Sequence, residues 1–365
     1  MCCRIRLATR RATGGSTVLI DMPVTLWPAL PTPEGADSSA TAVCQARRPA
    51  LSTADTGTVT RRAQARWVGW ATMEIGMALP TMATGFTRTT LVEWCRGIDE
   101  GPFSSISAGE RITFHNPEQL VTNTAAAALT ERVQVITNLT VLPLHSTAML
   151  AKQLATLDVL SEGRLVVGVG VGGREEDFRA VGASFAARHQ RLDSGVAELK
   201  RLWAGEPAYE GGAPVGPAPF RRNGPPILAG ALGPKAMARA ARWADGVTGF
   251  SIGALRDEMA GTNRLALEAW EAEGRSERPR LVNGSFFLLG GEDPAGELRR
   301  FALAYLAVFG ERSASALADL VELSSPARLC QAIADAEEAG CDEFILVPGT
   351  VDSSCLELAV AALGA

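Results

Sequence analysis

Residues 132–182 read RVQVITNLTVLPLHSTAMLAKQLATLDVLSEGRLVVGVGVGGREEDFRAVG, and this stretch decides the fold. Residues 133–136 include a β-branched run that is typical of a strand, and the leucines that follow recur at helical spacing. Gly163 ends that helix, and residues 165–169 form a continuous apolar run of the kind that is buried on both faces of a parallel sheet. The stretch therefore predicts a strand–helix–strand unit with parallel strands.

The same alternation continues on both sides of this unit, from residue 73 to the C-terminus. Strand-like runs are predicted at residues 74–79, 103–108, 133–139, 165–169, 226–229, 246–249, 281–289 and 344–347. Helical patterns are predicted at residues 89–98, 117–129, 147–160, 188–203, 234–243, 255–273 and 326–339, with an inserted helical excursion at 294–323. Eight strands that alternate with helices predict one α/β domain, a (β/α)₈ barrel over residues 73–365.

The core of the deciding stretch also resembles a known family. The run AKQLATLDVLSEGRLVVGVGVG at residues 151–172, followed by EEDF at 175–178 and a helix ending in LW at 202–203, is similar to the luciferase-like monooxygenase superfamily. These proteins are flavin- and deazaflavin-dependent oxidoreductases. The resemblance extends from Met73 to the C-terminus, and it implies a TIM barrel that binds reduced FMN or the deazaflavin F420.

Residues 1–72 differ from the rest of the chain. They carry nine arginines and four acidic residues, so that the net charge of −5 leaves −10 for residues 73–365. The segment is rich in Pro, Ser, Thr and Ala and has no sustained periodicity, so we expect a disordered leader. Asp21 and Pro23 interrupt any apolar signal region, and we interpret Met73 as the natural start of the protein.

Composition excludes several classes of protein. The acidic main segment offers no basic footprint for nucleic acid, and no apolar run is long enough to span a membrane. Seven cysteines without CxxC spacing and three histidines argue against a disulfide framework and a zinc site, and they favour a cytoplasmic location. A hydrolase lacks support because the sequence shows no metal-ligand cluster and no pair of catalytic carboxylates.

The fourth predicted strand ends in a glycine-rich turn. Gly168, Gly170 and Gly173 match the dinucleotide-binding pattern GxGxxG, but the acidic residues 175–177 would repel a pyrophosphate, so this interpretation is disfavoured. We expect Gly170, Gly172 and Gly173 to let backbone N–H groups approach a cofactor. The alternative is that these glycines serve only close packing in the barrel.

The turn after the fifth predicted strand is a second candidate. Gly230 and Gly233 precede a predicted helix whose first turn contains Lys235. Free amides, a positive helix end and a lysine favour the binding of a phosphate group. The alternative is an ordinary loop with a surface lysine.

The third predicted strand ends at Asn138 and Leu139. By the resemblance, this is where the family carries a non-prolyl cis peptide in a bulge behind the flavin ring. We therefore expect a cis Asn138–Leu139 bond and a cofactor contact at both residues.

The second predicted strand is followed by Glu110, Arg111 and His115. In the family an acid at this position precedes a catalytic histidine, but this chain has Arg111 there, and an arginine stays protonated and cannot act as a base. Arg111 is expected to hold an anionic flavin or a substrate carbonyl, and His115 to titrate. The alternative is a Glu110–Arg111 ion pair at the rim of the barrel.

Two further groups of charges are interpreted as structural. We expect Asp158 and Arg164 to form an ion pair across the turn between the third predicted helix and the strand after it. We expect Glu175, Glu176 and Asp177 to lie in the solvated first turn of a helix.

The resemblance implies an oxidoreductase that oxygenates, or transfers a hydride to, a small organic substrate. We expect no metal, a homodimer, and a separate reductase that supplies the reduced cofactor. The strong preference for arginine over lysine indicates a GC-rich coding sequence, which favours F420 over FMN. The alternative is a non-catalytic flavin-binding barrel protein.

Overall fold

The structure, a computed structural model, describes residues 73–364. The leader predicted for residues 1–72 lies outside the described residues. The strands are β1 (Glu74–Ala78), β2 (Ser105–Ala108), β3 (Gln134–Thr140), β4 (Leu165–Val169), β5 (Ile227–Gly230), β6 (Gly246–Thr248), β7 (Arg280–Phe287) and β8 (Glu343–Pro348). The helices are α1 (Arg88–Glu100), α2 (Gln119–Leu129), α3 (Thr147–Leu160), α4 (Glu175–Ala180), α5 (Arg188–Trp203), α6 (Pro234–Ala240), α7 (Arg256–Ala272), α8 (Pro294–Leu306), α9 (Glu311–Ala318), α10 (Pro326–Glu338) and α11 (Ser354–Ala362).

The eight strands form a closed barrel in which every strand is parallel to its neighbours in chain order, and β1 pairs with β8. This confirms the predicted (β/α)₈ barrel. The bounds of α3 and β4 agree with the sequence prediction, whereas β7 begins and ends earlier than predicted. In such a barrel the loops that follow the strands share one face, which we call the mouth.

Apolar residues fill both the barrel and the layer between its strands and helices. The interior is closed by one small or branched side chain from each of six strands: Ala78, Ile136, Val166, Leu228, Val282 and Ile345. Between the strands and the surrounding helices, large side chains such as Trp94, Phe103 and Phe344 are fully buried. The inside of the barrel below the mouth is therefore a packed core, and ligands are restricted to the loops above it.

A charged cluster closes the opposite end of the barrel. The carboxylate of Glu343 is fully buried, accepts hydrogen bonds from the hydroxyls of Ser104 (2.7 Å) and Ser105 (2.5 Å), and pairs with Arg280 at 2.7 Å. Glu74 lies 3.7 Å from the same guanidinium. Burial first, and then the charge of Glu343, raises the pKa of Glu74 to about 7. This cluster binds the starts of β1, β2, β7 and β8 together.

The predicted helical excursion is confirmed and forms α8 and α9. Both helices pack on the mouth side of β7 through an apolar cluster that includes Phe286, Leu298 and Leu306. Tyr305 of α8 packs edge-on against Phe286 at 5.4 Å between ring centroids. The excursion thereby places an aromatic side chain over the mouth.

One prediction about charged residues was wrong, and a second holds for Glu175 and Glu176, which are exposed, but not for Asp177. Asp158 and Arg164 do not form an ion pair: the guanidinium of Arg164 donates to the Ala127, Thr130 and Val133 carbonyls, while Asp158 accepts from the backbone N–H of Arg221. Asp177 lies in the first turn of α4 as predicted, but it is buried rather than solvated. Its carboxylate accepts hydrogen bonds from both the backbone N–H and the hydroxyl of Thr113.

Candidate active site

Glu110 follows β2 and is buried at the mouth, with both carboxylate oxygens occupied. Oε2 accepts from the backbone N–H of Val141 at 2.6 Å, and Oε1 lies 2.7 Å from Nε2 of His145. The alternative of a Glu110–Arg111 rim pair is therefore wrong. A carboxylate held on both oxygens orients its partners rather than moving freely as a base.

His145 was missed by the sequence reasoning, although it lies inside the stretch that decided the fold. It follows a 3₁₀ turn over Leu142–Leu144 and directly precedes the start of α3. Arg191 of α5 fixes this loop by donating to the carbonyls of Pro143 (3.1 Å) and His145 (3.3 Å). The scarcity of histidine, with only three in the chain, was the one signal that could have singled it out.

Arg111 is buried next to Glu110 but has no acidic partner in the described residues. Only 8% of its surface is exposed, and its guanidinium carbon lies 4.0 Å from the ring centroid of Phe114. Burial is the main cause that lowers the pKa of Arg111, followed by the charge of Arg174, while Tyr305, Asp177 and Glu176 act in the opposite direction. The side chain is thus a desolvated cation.

Arg174, between β4 and α4, is a second cation at the same place. Its guanidinium carbon lies 5.0 Å from the ring centroid of Tyr305 and 5.9 Å from that of Phe309. Arg111 borders the same Tyr305 ring at 5.6 Å. Sequence reasoning did not find Arg174 because its neighbours in space come from β2 and α8.

His115 lies apart from the Glu110–His145 pair. It is exposed, its Nε2 is 3.1 Å from the carbonyl oxygen of Met82, and its ring packs on Phe114 with 4.1 Å between centroids. It lines a cavity of about 270 Å³ beside the loop that follows β1, and a second cavity of about 300 Å³ between that loop and α8. The structure therefore places His115 at the edge of the mouth.

The predicted bulge at the end of β3 is confirmed. The Asn138–Leu139 peptide is cis, and the pairing of β3 with β4 shifts register between Thr137 and Thr140. The amide oxygen of Asn138 accepts a hydrogen bond from the hydroxyl of Thr248 on β6 at 3.0 Å. The bulge therefore turns two consecutive side chains of β3 across the mouth.

Three glycines make room for this bulge. A Cβ on Gly168 would overlap the backbone of β3, one on Gly170 would lie 2.7 Å from Cδ1 of Leu139, and one on Gly230 would overlap Cδ2 of Leu139. The N–H of Gly170 donates to the carbonyl of Thr140 at 2.9 Å. At Gly170 the alternative of a glycine needed for packing thus has direct support, and Gly230 is confined by the same leucine side chain.

Of the other predicted contact positions, Gly173 and Gly233 are more open, whereas a Cβ on Gly172 would meet Val141 and Phe178. Apart from chain neighbours, nothing in the described structure lies within 4 Å of a Cβ built on Gly173 or Gly233. Gly172 has a positive φ of 71° that favours glycine, and Lys235 is exposed in the first turn of α6. Within residues 73–364, no group of three or more His, Cys, Asp or Glu side chains could hold a metal ion.

One model of a known protein family matches most of this chain. The family model described as "Luciferase-like monooxygenase" matches residues 68–341. The chain is a member of the luciferase-like monooxygenase family. The family resemblance seen in the deciding stretch is thereby confirmed.

Named relatives of this luciferase-like chain use different cofactors. The F420-dependent glucose-6-phosphate dehydrogenase of Kineococcus radiotolerans is 33% identical over 199 residues, which is 50% of this chain and 57% of that protein. The oxygenase component of the flavin-dependent trigonelline monooxygenase of Acinetobacter baylyi is 26% identical over 155 residues, 40% of this chain and 43% of that protein. The chain thus spans about half the length of the curated relatives it matches.

Solved structures agree with the barrel. The monooxygenase RslO1 from Streptomyces bottropensis superposes with a TM-score of 0.65 at 24% identity, covering 80% of this chain and 98% of that one. At this identity the match bears on the fold alone. By name, one of the two curated relatives is an F420-dependent dehydrogenase and the other is part of a flavin-dependent monooxygenase.

Proposed function

We propose that this luciferase-like chain binds reduced F420 or FMN at the mouth of its barrel. With that cofactor it transfers a hydride to, or oxygenates, a small organic substrate. The observation that carries the proposal is the β3 bulge, which turns Asn138 and Leu139 across the mouth and is accommodated by Gly170 and Gly230. When bound, the reduced ring supplies a hydride in the deazaflavin or activates dioxygen in the flavin.

The residues at the mouth fit such a group. Leu139 is half-buried and offers apolar surface on which one face of a ring can lie. Arg111 and Arg174, which both border Tyr305, supply positive charge at the mouth. The open backbone at Gly173 and Gly233, with Lys235 one turn further on, suits the phosphate of either cofactor.

The Glu110–His145 pair has a positioning role in this proposal. Glu110 holds the imidazole of His145 and the backbone N–H of Val141, which follows the bulge by one residue. The pair therefore fixes the orientation of the β3 end and keeps an imidazole at the mouth. His145, rather than His115, is the histidine that we propose for proton transfer, with Arg111 as a fixed positive charge.

We also infer the setting of the reaction. The Acinetobacter relative is named as an oxygenase component, which supports a separate reductase as a partner if FMN is the cofactor. In the part of the chain that the structure describes, no helix is both long and apolar enough to cross a membrane. A cytoplasmic homodimer is the arrangement we propose.

Cofactor titration tests the proposal. The full chain is titrated with FMN and with F420, each oxidised and reduced, and binding is followed by fluorescence. We expect saturable binding of one cofactor, its loss in Leu139→Trp, and its retention in the control Leu160→Trp, which places the same indole on the exposed end of α3. Binding without oxygen uptake or F420 oxidation, over a panel of substrates, would instead favour the non-catalytic alternative.

A further inference from the structure

Among the described residues, the buried Arg111 and the half-buried Arg174 lack an anionic partner, in contrast to the buried Arg280. Arg280 pairs with the buried carboxylate of Glu343 at 2.7 Å. Within residues 73–364, neither Arg111 nor Arg174 forms a salt bridge or donates a hydrogen bond, and the Nε atoms of both are buried without an acceptor. Buried donors without partners are rare in folded proteins, so these two require an explanation.

The acidic residues near the two arginines do not supply the missing partner. The Asp177 carboxylate accepts two hydrogen bonds from Thr113 through a single oxygen, and the side chains of Glu175 and Glu176 are exposed at the start of α4. Arg111 is more than nine-tenths buried, so water cannot solvate its charge fully. A desolvated cation that faces a second cation is unfavourable unless an anion joins them.

The surroundings of the two cations are aromatic. Arg111 lies over Phe114, both guanidiniums border Tyr305, and Arg174 also borders Phe309. Phe114 also lines the cavity of about 300 Å³, together with Phe301. The site thus combines fixed positive charge with apolar walls that a hydrophobic body can contact.

We propose that Arg111 and Arg174 bind the carboxylate of an organic-acid substrate whose apolar body lies against Phe114 and Tyr305. Guanidinium groups match the geometry of a carboxylate and form charge-assisted hydrogen bonds with it. This inference rests on the proposed function, and it narrows the substrate to acids with an apolar or aromatic portion. Tyr305 belongs to the inserted helix α8, so that helix forms part of the substrate-binding wall.

The same oxyanion chemistry could come from the phosphate of the cofactor. We favour the substrate because the open backbone at Gly173 and Gly233 and the exposed Lys235 lie after β4 and β5, whereas Arg111 follows β2 and stacks on the wall of the cavity. Riboflavin, which has the flavin ring without the phosphate, distinguishes the two sources. If the arginines bind the phosphate, their replacement should weaken the binding of FMN but not that of riboflavin.

The test uses the full chain, with benzoate as the acid and benzamide as its uncharged counterpart. We expect benzoate, but not benzamide, to bind and to raise the melting temperature, and we expect Arg111→Met and Arg174→Met each to weaken benzoate binding by about tenfold or more. Arg242→Met is the control, because it removes an exposed arginine far from the mouth, and its benzoate affinity should equal that of the wild type. Arg111→Lys keeps the charge and should recover part of the binding.

The stability of the variants separates a binding role from a structural one. Without ligand, Arg111→Met should melt at the same temperature as the wild type or higher, because it removes a desolvated charge. Equal binding of benzoate and benzamide, unaltered benzoate affinity in both variants, or no benzoate binding at all would overturn the inference. A fall in the FMN affinity of these variants with unchanged riboflavin affinity would also overturn the inference, because it would assign the arginines to the cofactor phosphate. If neither FMN nor F420 binds but benzoate selectivity persists, the proposed function fails while the acid site stands.

Discussion

Replacement of Gly230 by alanine tests how the β3 bulge is built. The new methyl group would overlap Cδ2 of Leu139, whose Cδ1 already faces the backbone of Gly170. Leu139 is therefore confined on two sides. In the variant its side chain must change rotamer, or the bulge must shift. Overpacking of this kind costs about 1–3 kcal/mol, and the lower entropy of the unfolded alanine chain returns about 0.4–1 kcal/mol. We expect Gly230→Ala to destabilise the protein by about 1–2 kcal/mol, measured by equilibrium denaturation in urea.

Gly173→Ala is the matched control for this change. It also lies at the mouth, but a Cβ there would meet open space, so its stability should stay the same or rise slightly. A double-mutant cycle with Leu139→Ala should show a coupling of about 1–2 kcal/mol, because the smaller side chain leaves space for the new methyl group. Equal stabilities of Gly230→Ala and Gly173→Ala, or an additive cycle, would refute the packing of Leu139 against Gly230.

Three other changes test separate parts of the structure. Burial raises the pKa of the Glu258 carboxyl from 4.5 to about 7, so wild-type stability should fall as the pH rises through that interval. Glu258→Gln should reduce this dependence to the part that Glu74 contributes, and it should be more stable than the wild type by at most about 3 kcal/mol at pH 8, measured by urea denaturation across pH. Arg280→Met should lower the free energy of unfolding by about 3–5 kcal/mol in the same assay, because Glu343 would stay buried without its nearest cation. A smaller loss would mean that the ion pair is dispensable. Glu110→Ala should lower the free energy of unfolding by about 1–3 kcal/mol and weaken cofactor binding, whereas Glu110→Gln, which keeps an acceptor for Val141, should lose less. Equal losses would contradict the role assigned to the Val141 contact.

The fold was predictable because its signals are local. The helix over residues 147–160 and the strand over 165–169 are bounded by a serine before the helix and a glycine after it, and each has a clear apolar pattern, so their bounds came out as predicted. Repetition of this unit around a closed sheet then fixes the barrel. Bounds were less accurate for β7, where the structure gives residues 280–287 and the apolar run continues beyond the strand.

The candidate site was less predictable because its contacts join distant segments. Glu110 and His145 are 35 residues apart in the chain, and Tyr305, which Arg111 borders, lies 194 residues after Arg111. The position of the bulge followed from the family resemblance, but sequence could not indicate that Leu139 fills the space beside Gly170. The expected Asp158–Arg164 pair failed for a similar reason: backbone carbonyls near residue 130, which lie far away in sequence, satisfy the guanidinium instead.

The most direct measurement for the central claim is the affinity of the full chain for FMN and F420, determined side by side with Leu139→Trp and its control Leu160→Trp. A mouth that holds a flavin-type ring against the β3 bulge predicts saturable binding of at least one of the two cofactors by the wild type and the control, and none by Leu139→Trp. Failure of the wild type to bind either cofactor, or full binding by Leu139→Trp, would contradict it.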